Sequence, residues 1–228
     1  MIHILVIQTA LDEAFVCLSC EGSMVGERHS PDRKDHAAFL HPAIQSLLRE
    51  AGLAPAGIDA VAVVEGPGSY TGLRVGMSCA KGLCFALSKP LVTLNTLDWM
   101  AASAPLEEGT WTCPMIDARR MEVFTALYDG ERRRTLDPIP LILTPEAFAD
   151  RLSDHAIRFV GSGAAKWRSL TDHPHARFPE WSPSAPAAAE MAWKKWLRSD
   201  FADLAYAEPF YGKAFHSTLK TGQGNGDT

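Results

Sequence analysis

The chain has no long apolar run. Of its 228 residues 46% are hydrophobic, yet Lys81 and Lys89 break the best candidate span well short of the roughly 20 apolar residues a membrane-crossing helix needs. No membrane span is therefore expected. It also lacks any surplus of positive charge. Lys and Arg number 22 against 27 Asp and Glu, a net charge of −5, which excludes a nucleic-acid or membrane binder driven by bulk charge. No basic segment precedes the first apolar residues, and Ile4 to Ile7 runs into Asp12 and Glu13. That pattern reads as a first strand rather than a signal peptide, so a cytoplasmic location is expected. Cysteine is scarce and odd in number: Cys17, Cys20, Cys79, Cys84 and Cys113 read as reduced thiols. Cys17 and Cys20 form a C-x-x-C, but Ala14 to Glu21 alternates like a strand, where residues three apart face opposite ways. A redox or zinc pair is not expected there.

The signatures of catalysis are missing as well. There is no H-E-x-x-H; His36 and His41 are five apart and face apart on a helix. Ser69, Ser78 and Ser162 lie in no G-x-S-x-G. His173-Pro174-His175 reads as solvated loop. Asp117 closes an apolar strand and is followed by Arg119 and Arg120; a carboxylate there can hold a metal or orient a phosphate, but a surface ion pair is the commoner arrangement.

What is present is a doubled pattern of strands and helices. A length of 228 residues suits one large or two small domains. Ile2 to Gln8, Ala14 to Cys20 and Met24 to His29 read as an antiparallel meander. Phe39, Leu40, Ile44, Leu47 and Leu48 then recur at helical spacing, from about Asp35 to a stop at Gly52. A strand at Ala60 to Val64, a helix at Thr71 to Leu87, a strand at Leu91 to Leu94 and a helix from Thr96 complete a mixed α/β layer. After a loop at Ala104 to Gly109 the order repeats. Strands are expected at Trp111 to Asp117, Glu122 to Tyr128 and Arg132 to Leu136, with Asp129-Gly130 as a hairpin turn. A helix from Thr144-Pro145-Glu146 to Leu152, a strand at Arg158 to Val160 and a last helix at Ala185 to Leu197 follow. The expected division is residues 1–104, residues 105–211 and a flexible polar tail over 212–228.

The most informative stretch is Glu65 to Leu87. A strand enters Gly66-Pro67-Gly68 and leaves as a helix, which is an anion site in principle. The Walker signature fails because Gly72 is followed by Leu73 and Arg74, and the dinucleotide pattern fails at Thr71. On chemistry alone a tight turn, whose glycines let backbone pack, is the preferred reading. Within the helix Gly76 and Gly82 each cost about 1 kcal/mol relative to alanine. Gly76 with Ala80, and Ser78 with Gly82, have the four-residue spacing of small residues that lets a second helix come close. That neighbour is either internal or a docking partner.

The segment GPGSYTGLRVGMSCAKGL resembles the hallmark of the bacterial TsaB (YeaZ) family, G-P-G-S-F-T-G-L-R-I-G followed by A-K-G-L. Its loop comprises Gly66, Pro67, Gly68, Ser69, Tyr70, Thr71, Gly72 and Arg74. Gln8-Thr9, the stretch Pro114 to Arg119 before Glu122, and Glu208 to Tyr211 agree with the same family. The resemblance implies a duplicated α/β fold of the actin, hexokinase and Hsp70 ATPase superfamily. It implies a non-catalytic partner for the threonylcarbamoyl-transferring subunit TsaD, with the ATPase TsaE and tRNA joining through the complex. Docking would use helices His36 to Glu50 and Thr71 to Leu87. The interface residues so implied are Phe39, Leu40, Ala43, Leu47, Leu73, Gly76, Met77, Ala80, Gly82 and Leu83. Neither a metal nor a cofactor is expected on the chain alone, although a nucleotide at a shared interface is compatible, as is a homodimer when the partner is absent. Active phosphotransferases of the superfamily carry an aspartate at the end of the first strand; here Gln8 stands there, a weaker Mg²⁺ ligand and a departure from many members of the family itself. The alternatives are a small-molecule kinase and a peptidase; the first needs a carboxylate at Gln8, and the second needs a nucleophile or zinc motif the chain lacks.

Overall fold

In the computed structural model, residues 1–30 and 35–212 are described; the expected tail thus lies, beyond Gly212, outside the described residues. Five strands form the first sheet: β1 (His3–Gln8), β2 (Phe15–Cys20), β3 (Ser23–His29), β4 (Ala60–Gly66) and β5 (Leu91–Asn95), in the order β3-β2-β1-β4-β5. β1 pairs antiparallel with β2 and parallel with β4. The second sheet uses β6 (Thr110–Asp117), β7 (Glu122–Tyr128), β8 (Arg134–Ile142), β9 (Ala156–Val160) and β10 (Ala176–Arg177), ordered β10-β9-β6-β7-β8. Taken from its opposite edge, the second sheet has the same plan. In each half the first three strands form an antiparallel meander and the fourth and fifth run parallel to the first. Helices occupy matching places: α1 (His36–Glu50), α2 (Tyr70–Leu87) and α3 (Thr96–Ser103), then α4 (Ala149–Leu152), α5 (Ala164–Arg168) and α6 (Ala185–Leu197). The expected duplicated α/β architecture is present.

The alternation of β1 explains its central place. Leu5 and Ile7 face α1 and α2, packing with Leu40, Ile44, Met77 and Ala80. Ile4 and Val6 face the other way, toward Trp99 of α3 and Ala188, Ala189 and Ala192 of α6. A strand buried on both faces needs no polar alternation, hence the unbroken apolar run. α6 belongs to the second half by sequence yet covers the first sheet, lying against β1, β2, β3 and β5. Trp99 Nε1 donates to the Ser184 carbonyl at 2.8 Å, tying α3 to the start of α6. The sheets divide near residue 104, whereas the helical layer between them is shared.

Several local expectations need correction. β8 runs over Arg134–Ile142, through Pro138 and Pro140, rather than Arg132 to Leu136; it is an edge strand, where a missing N–H on the outer side costs no ladder bond. The hairpin before it is longer than Asp129-Gly130. The Asp129 carboxylate accepts from the Glu131 and Arg133 amides, both at 2.9 Å, and Arg132 takes the left-handed turn at φ 61°. Only Ala149–Leu152 of the helix expected from Thr144 is α-helical. α5 and β10, at five and two residues, are too short for periodicity to reveal. Among the described residues no helix is long and apolar enough to cross a membrane. All five cysteines are free. Burial, with the Glu27 charge adding to it, pushes the Cys17 thiol up to about 12, which disfavours the thiolate that redox chemistry would use.

Candidate functional site

The glycine-rich turn is where three backbone segments converge. A Cβ on Gly66, at φ +128°, would lie 2.1 Å from the Phe210 carbonyl oxygen; on Gly68 it would lie 2.2 Å from that of Ala10, and on Gly72 2.0 Å from that of Thr9. Ser69 N–H donates to the Ala10 carbonyl at 2.8 Å, and the Ser69 hydroxyl caps α2 by accepting from Gly72 N–H at 3.3 Å. Thr9 Oγ1 donates to the Gly72 carbonyl at 2.7 Å. Two of the N–H groups that an anion cradle would use, those of Ser69 and Gly72, are thus spent on the chain itself. The tight-turn reading accounts for its glycines.

Behind the turn, Glu65 is half-buried at the end of β4. Burial holds its carboxyl above the ordinary range, against a hydrogen bond from Thr93 and the Lys195 charge, both of which lower it. A raised folded-state value means this group favours folding below its unfolded value and loses that contribution as pH rises through the folded one. Glu65→Gln is therefore expected to raise the melting temperature at pH 7 and leave it unchanged near pH 4. Equal shifts at both values in thermal melts would contradict this.

Between the two sheets opens a cleft of about 980 Å³. It is walled by the β1–β2 turn (Ala10 to Glu13), the glycine-rich turn (Gly68 to Thr71), the β6–β7 turn (Ile116 to Arg120), Ser162, Lys166 and Trp181. Gln8 is not in the wall. It is wholly buried, its Nε2 donating to the Glu13 carbonyl at 2.7 Å and its Oε1 accepting from Leu11 N–H at 3.1 Å. The amide closes its own turn. Across the cleft Asp117 meets Lys166 Nζ at 2.5 Å, accepts from Arg119 N–H at 2.6 Å, and has its own N–H on the Ser162 hydroxyl at 3.0 Å. Partial burial raises the Asp117 carboxyl, but Lys166 and the Arg119 amide outweigh it and hold it below the ordinary range. The expected ion pair is there, with Lys166 as partner. Among the described residues no three His, Cys, Asp or Glu side chains group to hold a metal.

The ten residues implied as a partner interface separate into two groups. Leu40, Ala43, Leu47, Met77 and Ala80 are buried in the core beneath α1 and α2, Leu73 is buried in the other core cluster with Ala10 and Val64, and Gly76 is buried as well. A Cβ on Gly76 would sit 2.3 Å from Thr9 Oγ1 and 3.6 Å from Val63. Its close neighbour is internal, and it is a strand and a turn rather than a helix. Phe39 and Leu83 are half-buried, and Gly82 is exposed, with no atom within 4 Å of where a Cβ would stand. Gly82 and Leu83 line a groove of about 500 Å³ between α1 and α2, together with Ala37, His41, Val75, Ser78, Cys79 and the edge of Leu40. Sequence reasoning missed Val75 and Cys79. With Gly82 and Leu83 they recur three and four apart, the spacing of one helix flank, and a helical wheel centred on the groove rather than on small residues finds them. Phe85 stands 81% exposed on the same helix.

Residues 30–140 match the family model of TsaD, tRNA N6-adenosine threonylcarbamoyltransferase. The relative from Bacillus subtilis called tRNA threonylcarbamoyladenosine biosynthesis protein TsaB is 35% identical over 55% of this chain, and the match spans 54% of that protein. The TsaB protein of Haemophilus influenzae is 30% identical over 78% of this chain and 80% of its own length. The chain belongs to the TsaB family. The TsaB architecture recurs in the solved structure of YeaZ from Pseudomonas aeruginosa, which is 30% identical, covers 92% of this chain and all of its own, and superimposes with a TM-score of 0.78. The resemblance carried by Gly66 to Gly82 thus extends over nearly the whole chain, and it places the protein in tRNA threonylcarbamoyladenosine biosynthesis.

Proposed function

We propose that this chain is a non-catalytic subunit that binds a TsaD-type transferase through the outward side of α1 and α2. The observation that carries this reading is the open apolar groove along Val75, Cys79 and Leu83, floored by Gly82. Docking a helix there would bury these side chains, and the bare Cα of Gly82 leaves space for a close approach. The absence of a reaction at the chain's own cleft is supported by Gln8, whose two amide atoms are engaged within their own turn. A phosphotransferase needs an anionic oxygen at that place to hold Mg²⁺. A nucleotide at a joint interface would take its remaining contacts from the partner. A TsaE-type ATPase and the tRNA would enter through the assembly, since a net charge of −5 gives this chain no bulk attraction for phosphates. In the partner's absence the same face would pair two copies of the chain.

The test is to mix the purified chain with the transferase subunit of its own organism at micromolar concentration. A joint peak in gel filtration is expected, and depletion of the chain in cells is expected to remove threonylcarbamoyladenosine from tRNA nucleosides measured by mass spectrometry. Two unshifted monomer peaks together with unchanged tRNA modification would overturn the proposal.

A further inference from the structure

Beyond α6 the chain turns back across the first half. Ala202 N–H donates to the Leu91 carbonyl at the edge of β5, at 2.8 Å. Leu204 and Ala207 pack against the core beneath α1 and α2. Phe210 N–H donates to the Glu65 carbonyl at 2.8 Å, and the Tyr211 ring lies 5.1 Å from that of Tyr70 at the start of α2. A Cβ on Gly212 would meet Phe124 at 2.7 Å and Pro67 at 3.2 Å. Midway between these anchors Lys81 Nζ donates to the carbonyls of Ala205, at 3.3 Å, and Ala207, at 2.9 Å.

Helical spacing turns these contacts into a clamp. Tyr70, Arg74 and Lys81 follow one flank of α2, while Leu73, Met77, Ala80 and Cys84 point into the core. Val75, Cys79 and Leu83 follow the flank toward α1, where the groove opens. α2 therefore lies between α1 on one side and the returning segment on the other. We infer that Phe201 to Gly212 is a strap that sets the position of α2, and that Lys81 is the positioning residue that fastens it. The inference rests on the docking reading and deepens it, because the helix held by the strap carries one wall of the proposed docking groove. A lysine ammonium has three donors and no acceptor, so one side chain bridges two carbonyls two residues apart. Hydrogen bonds from a charged donor are the stronger kind. A side chain of similar length without the charge would keep the stem's packing and lose both bonds.

The experiment compares the full wild-type chain with Lys81→Met and Lys81→Arg, by amide hydrogen exchange and by affinity for the purified transferase subunit. In Lys81→Met the amides of Ala202, Ala207 and Phe210 are expected to exchange at least about tenfold faster while those of β1 stay as slow as before. Affinity for the transferase is expected to fall by about tenfold, and Lys81→Arg, which keeps the donors, is expected to restore both. Tyr211→Leu frees the far end of the strap and is expected to act in the same direction, so a misfolded Lys81→Met would still leave a readout. Unchanged strap exchange in these variants, or faster exchange with affinity within about twofold of wild type, would overturn the inference. Should the wild-type chain itself fail to bind the transferase, the docking reading falls, and the exchange arm alone then decides whether Lys81 fastens the strap.

Discussion

Gly82→Leu is expected to leave the chain folded and to weaken its binding to the transferase subunit by roughly ten- to a hundredfold, the cost of forcing a few extra methylenes into a close contact. Nothing in the fold opposes the substitution: Gly82 is exposed, and no atom lies within 4 Å of where its Cβ would be. Replacing an exposed helical glycine should even stabilise the isolated chain by about 1 kcal/mol. Thermal melting and isothermal titration against the transferase separate the two effects. Undiminished affinity in the folded variant would mean that the groove between α1 and α2 is not the docking face.

Ten residues earlier in the same helix, Gly72→Ala is expected to do the reverse. Its Cβ would lie 2.0 Å from the Thr9 carbonyl oxygen and 3.2 Å from the Thr9 carbonyl carbon, and backbone cannot swing aside as a side chain does. Relief would require moving the β1–β2 turn, which also supplies the Ala10 carbonyl to Ser69 N–H and the Thr9 hydroxyl to the Gly72 carbonyl. A loss of about 3–5 kcal/mol in urea denaturation is expected, within the range of mutations that break a buried network or force a backbone clash. A loss below about 1 kcal/mol would show that the turn has room to yield. Gly76 is intermediate, since its nearest obstacle is the Thr9 hydroxyl, a side-chain atom at 2.3 Å.

The contrast between these glycines marks how far the sequence could be read. In the one-dimensional pattern Gly72, Gly76 and Gly82 look alike, because each is a helical residue without a Cβ. What distinguishes them is the element each faces, and that element lies 63 residues away for Gly72 and Thr9. The same limit applies to the implied interface residues. Periodicity identified Leu40 and Leu47 as part of one apolar stripe on α1, and the resemblance supplied Leu73 and Met77 on α2. A stripe of that kind is buried against the chain's own sheet before it is available to a partner, which is why the proposed docking surface uses the less apolar flank. Similarly, the role of Gln8 could be argued only by what it is not; that its amide closes the turn through Glu13 and Leu11 depends on side-chain direction.

Sequence alone was sufficient for the duplicated order of strands and helices, the extents of β7 and α6, the ion-paired character of Asp117 and the family to which Gly66 to Gly82 points. These rest on local signals: hydrophobic period, turn residues and a contiguous motif. The shared helical layer, the inward facing of Gly76 and Ala80, the groove along Val75 and Cys79, and the strap fastened by Lys81 were decided by tertiary structure. Each is a contact between segments far apart in the chain, and no spacing rule reaches across the distance that folding closes.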